Sequence, residues 1–181
     1  MLLEEAGPAA LNLREIARRA GVAAPSAYHH FASRDALAVE LATQGFRELA
    51  AALAAIAPDP DGRLRAVGRA YIGFARANPG LYRLMFGEGF PTDSAALTET
   101  RALRSQAFGI VKAALARRLP PEKVDTAALF LWSLVHGLAL LIIDGQAPQD
   151  DGVETMVDAV LALSATGIPR AATAQPTGTK R

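Results

Sequence analysis

The chain has no cysteine, which excludes disulfides, thiolate metal sites and cysteine nucleophiles. Histidine is scarce, and His136 stands without acidic or thiol companions at ligand spacing, so no metal site is expected. Charge of one sign is missing as well: 19 Lys and Arg face 18 Asp and Glu, a net charge of +1. No global basic field therefore draws in a polyanion. No phosphate-cradling glycine loop, nucleophile–base pair or metal-spaced pair of acids or histidines is present, so an enzyme is not expected and no cofactor is called for. The N-terminus lacks the basic segment and long apolar core of a secretory signal. The most apolar run, Ala127–Ile143, is interrupted by Trp132, Ser133, His136 and Gly137. It falls short of the ~20 residues of a membrane span and reads as a buried helix. A soluble, cytoplasmic protein without membrane contact is expected.

What is abundant is alanine and leucine. Thirty-nine alanines with few β-branched residues favour helix throughout, so the fold class is all-α. The 181 residues suffice for one or two modest domains with a real core.

The most informative stretch is Leu13–Phe31, LREIARRAGVAAPSAYHHF. Leu13, Ile16, Ala17 and Ala20 recur at i, i+3, i+4 and i+7 and make one apolar helical stripe. Asn12 precedes it as an N-cap. Gly21 stands where the helix must stop, since glycine takes the left-handed conformation without a Cβ penalty. Val22 is expected to return to the core. Ala24-Pro25-Ser26 then opens a second helix, with proline in its first turn. Ala27 and Phe31 face inward on it, and Pro25, Ser26, Tyr28 and His29 face out. Two short helices around a glycine bend make a helix-turn-helix, and the outer face of the second suits a DNA major groove. Charge is concentrated locally: residues 12–34 carry Arg14, Arg18, Arg19 and Arg34 against Glu15 alone. Arg18 and Arg19 are read as a solvated helix face.

Residues 13–42, LREIARRAGVAAPSAYHHFASRDALAVELA, resemble the tetracycline-repressor (TetR) family of bacterial regulators. The resemblance rests on Leu13, Ile16, Ala17, Ala20, Gly21, Val22, Tyr28, Phe31 and Arg34, followed by Ala36, Leu37, Val39 and Leu41. It implies an N-terminal helix-turn-helix DNA-binding domain, joined by a helix to an all-helical ligand-binding and dimerisation domain. It also implies DNA contacts from Arg14, Ala24, Pro25, Ser26, Tyr28, His29, His30 and Arg34. Their chemistry agrees. Ser26 and Tyr28 hydroxyls bond phosphate or a base edge, Ala24 or Pro25 packs on a thymine methyl, and phosphate contacts should dominate and make binding steeply salt-dependent. Met1–Ala6 reads as the last part of a first helix, ended by Gly7 and shorter than the family's.

Ser33 is expected to cap a helix with Leu37, Leu41 and Phe46 on its inner side, running to about Ala57. Pro58-Asp59-Pro60-Asp61-Gly62 breaks it and separates a first domain, 1–57, from a second, 62–168. Further helices follow: one from Arg63 to Asn78, a short one over Leu81–Phe86, about Ala95–Leu119, from Pro120-Pro121 to Asp144-Gly145, and Gly152–Gly167. Residues 169–181 read as a disordered tail.

ANPGLYRLMFGEGF and, further on, WSLVHG resemble a TetR subgroup named for a Trp-His-Gly motif, here Trp132, His136 and Gly137. Trp132 and His136 share a helix face. They border either a ligand cavity or a packed core, with Gly137 allowing a neighbouring helix to approach. Tyr71, Phe74, Tyr82, Met85, Phe86, Phe90, Phe108, Trp132 and His136 are the candidate lining of a mostly apolar pocket, although each alone also fits an ordinary core. The helices over about 122–144 and 152–167 hold more apolar surface than one small domain needs. The resemblance implies that they pair with a second copy as a four-helix bundle, which suits palindromic DNA. The function expected is a homodimeric repressor on double-stranded operator DNA, released by a small, mostly apolar effector. The alternative is a helical ligand-binding protein whose DNA binding was lost through N-terminal truncation.

Overall fold

In the computed structural model the residues described are 2–57, 62–87, 90, 97–148 and 152–167. Nine α-helices occur among them: α1 Leu2–Ala6, α2 Leu13–Ala20, α3 Ala24–His30, α4 Arg34–Ala54, α5 Arg63–Ala77, α6 Pro79–Phe86, α7 Leu97–Leu115, α8 Pro121–Ile143 and α9 Gly152–Gly167. A single 3₁₀ turn, Pro8–Ala10, separates α1 from α2. The proposed tail lies outside the described residues, as does most of the loop after Gly87.

Local chemistry sets the helix boundaries. Asn12 Oδ1 accepts from the backbone N–H of Arg14 at 2.9 Å and caps α2, and Ser33 Oγ accepts from Ala36 N–H at 3.1 Å and caps α4. Gly21 adopts φ 69°, ψ 23°. Its N–H bonds the Arg18 carbonyl while Val22 N–H reaches back to Ala17, the paired bonds of a Schellman stop. α4 ends at Ala54, a little before the break expected at Pro58.

One continuous core runs from Leu3 to Leu161. α4 is its axis. Its first turns bury Leu37 and Ala38 in the same core as Leu3, Leu11 and Leu13, and further along it buries Ala42, Phe46, Leu49 and Leu53 against α6 and α7. α8 packs on α5 and α7, and α9 on α5.

Two expectations need correction. Ala127–Ile143 is not a self-contained buried helix. α8 starts at Pro121, has the length and apolar composition to cross a membrane, and only a third of its most apolar window is buried within the chain. Leu129, Phe130 and Leu141 stand exposed on it. Gly137 does not admit a close neighbour, because a Cβ built there would meet nothing within 4 Å. A close approach between elements that requires glycine occurs at Gly80, where a Cβ would lie 2.2 Å from the Leu3 carbonyl oxygen.

Candidate DNA interface and effector region

α3 is a short helix with no buried residue, held against the core through Ala27 and Phe31. Pro25, Ser26, Tyr28, His29 and His30 are all exposed, and Ala24 is half-buried. Tyr28 is 47% exposed, a large aromatic left in solvent. The His29 and His30 rings meet edge-on at 5.7 Å. Val22 does not return to the core: it is 49% exposed, because the left-handed residue before it turns the chain outward.

The local excess of arginine is partly consumed within the fold. Arg18 Nη2 and Arg19 Nε donate to Glu15 at 2.6 and 2.9 Å, and Arg19 Nη1 reaches Glu5 of α1 at 2.6 Å. Hydrogen bonds from Arg18 and then Arg19 draw the Glu15 carboxyl down to about 2. Arg34 donates to the Pro8 carbonyl at 3.1 Å and to Asp35 at 3.2 Å, tying the start of α4 to the 3₁₀ turn. The Arg14 side chain is exposed on α2.

Within the helical body, the predicted lining residues other than Phe74 divide between two places. Tyr71, Tyr82, Phe86, Phe108, Trp132 and His136 form a packed aromatic network. Trp132 stacks edge-on against Tyr71 at 5.1 Å and Phe108 at 5.5 Å, and Phe86 meets His136 at 4.7 Å. At its centre, Tyr82 Oη lies 2.6 Å and Tyr71 Oη 3.1 Å from His136 Nδ1, with the two hydroxyls 2.9 Å apart. Burial pushes both tyrosines above their ordinary range and His136 below its own, so all three are neutral at pH 7. His136 is thus a satisfied, half-buried histidine.

Met85 and Phe90 stand elsewhere, in a cleft of about 180 Å³ between α4, α6 and α7. Phe46, Leu97, Thr100, Arg101 and Arg104 complete its lining. Phe46 joins the two regions through its ring contact with Phe86 at 5.2 Å. Phe74 lies half-buried against the core on α5. The sequence reading missed the α7 side of this cleft. Its signal was present: Leu97, Thr100, Arg101 and Arg104 fall at i, i+3, i+4 and i+7, one helix face. A search confined to apolar residues passes over it.

A second missed feature joins α1 to α6. Glu4 of α1 takes the backbone N–H groups of Gly80 and Leu81 on its two carboxylate oxygens, at 2.7 and 3.0 Å. It caps α6 from another element, while the Asn78 side chain donates instead to the Phe74 carbonyl.

The sequence profile of bacterial regulatory proteins, tetR family, matches residues 1–41, and that of the tetracyclin repressor-like C-terminal domain matches residues 64–163. The chain belongs to the TetR family. It is a DNA-binding transcriptional regulator, and the N-terminal match favours this over a ligand-binding protein lacking a reading head. Among solved structures, a Rhodococcus sp. RHA1 protein of unknown function is 28% identical, with a TM-score of 0.71 over 89% of this chain and 88% of that one. The TetR family transcriptional regulator PfmR from Thermus thermophilus is 22% identical, with a TM-score of 0.74 over 93% and 95%. A tetR-family regulatory protein from Rhodococcus RHA1 is 19% identical, with a TM-score of 0.75 over 94% and 92%. The last two share the fold. No curated protein matches the sequence.

Proposed function

We propose that this TetR-family chain is a cytoplasmic homodimeric repressor that reads an inverted repeat with α3 and releases it when a small molecule enters the helical body. The observation that carries the reading is the outward set of Ser26, Tyr28 and His29 on a helix fixed by the Gly21 bend. Hydroxyls and an imidazole at such positions bond phosphates and base edges, and Pro25 and Ala24 supply apolar contacts for thymine methyls. His30, Arg14 and Arg34 add flanking contacts. The two-fold comes from α8 and α9. Their exposed Leu129, Phe130, Leu141 and Leu163 form an apolar face that a second copy covers as a four-helix bundle. On this reading the chain divides functionally at Pro58–Gly62, and the Trp132-His136-Gly137 spacing supports a place in the Trp-His-Gly subgroup.

The effector enters beside Met85 and Phe90, and Phe46 connects it through Phe86 to the aromatic network of Tyr71, Tyr82, Phe108, Trp132 and His136. From there α6 leads to Glu4 of α1 and α4 leads to Ser33, so two rigid paths connect the cleft to the reading head. A ligand that favours a wrong spacing of the two α3 helices lowers DNA affinity by a coupling free energy of ~1–3 kcal/mol.

A salt titration of binding to the gene's own upstream DNA tests the reading. Arg18 and Arg19 are engaged with glutamates, and Arg34 is bonded to Asp35 and the Pro8 carbonyl, which leaves Arg14 as the main phosphate partner of each subunit, with Arg34 contributing only as it exchanges those bonds. Two to four cations per dimer give a slope of log K against log salt of about −2 to −4. Absence of specific binding even at low salt would refute the proposal.

A further inference from the structure

The cleft between α4, α6 and α7 is not uniformly apolar. Its inner walls are Phe46, Met85 and Leu97, each nearly buried. Its rim on α7 is cationic, with Arg101 and Arg104 both exposed. Arg104 has no acidic partner among the described residues, in contrast to Arg47, Arg69, Arg76 and Arg83, each of which is ion-paired. An unpaired guanidinium at the mouth of an apolar cavity presents a planar fork of donors that matches a carboxylate at two points.

Thr100 sharpens the orientation. Thr43 Oγ1 lies 2.7 Å from the Val39 carbonyl, which can only accept, so the Thr43 hydroxyl donates there. Thr43 must then accept in its 2.6 Å contact with Thr100, and Thr100 spends its single proton on that bond. Toward the cleft Thr100 offers only lone pairs. An anionic oxygen is repelled there and directed to the Arg104 end.

The volume of the cleft sets the scale of the apolar part that it can seat. About 180 Å³ is slightly more than the ~150 Å³ apolar cavity known to admit a benzene ring. The Phe46 and Phe90 rings and the Met85 thioether offer edge and sulfur contacts that favour an aromatic guest.

We infer that the effector cleft takes a small monocarboxylate with a ring-sized apolar body, seated on Phe46, Met85 and Leu97 with its carboxylate on Arg104. This rests on the proposal that the cleft is the effector site, and its test separates the two. Calorimetric titrations at pH 7.5 compare benzoate with neutral benzamide, on the full chain and on Arg104→Gln and Arg104→Lys. Because Arg104 is exposed, both variants should fold, which the thermal unfolding midpoint checks. Benzoate is expected to bind at least tenfold more tightly than benzamide. Arg104→Gln should erase that preference and Arg104→Lys should restore part of it, with benzamide binding unchanged throughout. Equal binding of the two compounds, or a benzoate preference that survives Arg104→Gln, overturns the carboxylate assignment. Operator binding measured in parallel reports on the other claim. If benzoate binds through Arg104 but leaves DNA affinity unchanged, the carboxylate site stands and the effector role of the cleft fails. If benzamide releases DNA as well as benzoate does, the effector role stands and the carboxylate assignment fails.

Discussion

Burial around His136 gives the protein a pH dependence of its own. Desolvation among Tyr71, Tyr82 and Phe86 holds the imidazole below its ordinary value in the folded chain. The unfolded chain, at ~6.5, therefore takes up its proton first as pH falls. Stability is complete above that value and is lost as pH drops through the interval toward the lower, folded value. Urea midpoints recorded between pH 7.5 and 5 should decline with this sign. In His136→Gln, which keeps an acceptor for the tyrosine hydroxyls but cannot titrate, the decline should flatten by one proton's worth of slope. An unchanged slope would show that His136 is not the titrating group. Cutting the side chain back to His136→Ala leaves the Tyr71–Tyr82 bond but removes the acceptor for the remaining hydroxyl proton, at a cost of about 1–3 kcal/mol.

At the scale of elements, α6 is the link to test. One end lies on α1, where Glu4 caps it and Gly80 permits the contact, and the other lines the cleft through Met85. In Gly80→Ala the new methyl collides with the backbone carbonyl of Leu3, which no rotamer relieves, so α1 and α6 must separate. A loss of about 1–3 kcal/mol follows by analogy with overpacked cores. The more telling readout is coupling: effector affinity should be retained while the effector-induced drop in DNA affinity shrinks. Retention of the full drop would place the coupling in α4 alone. The same element shows what the sequence could and could not reveal. The Gly21 bend, the Asn12 and Ser33 caps and the proline starts of α3 and α8 were legible because each depends on residues within one turn. Glu4 was not, because a carboxylate capping a helix 76 positions away leaves no local pattern. Nor does Gly80 announce its partner, since a glycine after Asn78-Pro79 reads as a turn residue until Leu3 is placed against it. The aromatic residues were legible as a group but not in their arrangement. Period alone puts Trp132 and His136 on one face, but not whether that face meets a cavity or the Tyr71 and Tyr82 hydroxyls.

At the scale of the whole molecule, the proposed operator reading depends on symmetry. α8 and α9 pack on α5 and α7 along one side and leave Leu129, Phe130 and Leu141 in water on the other. In the proposed homodimer a copy of the same surface covers this exposed side and makes a closed two-fold pair. Such a pair turns two weak α3 contacts into one strong one, since the second half-site is engaged intramolecularly. The most direct measurement is a fluorescence-anisotropy titration of an inverted-repeat fragment from the upstream DNA, run beside a single half-site and a scrambled sequence at fixed salt. Two subunits should bind per repeat, and binding to the half-site should be weaker by at least a hundredfold. Tyr28→Ala should weaken repeat binding at least tenfold without changing the unfolding midpoint. Equal affinity for repeat, half-site and scrambled DNA, or indifference to Tyr28→Ala, would contradict a symmetric reader built on α3.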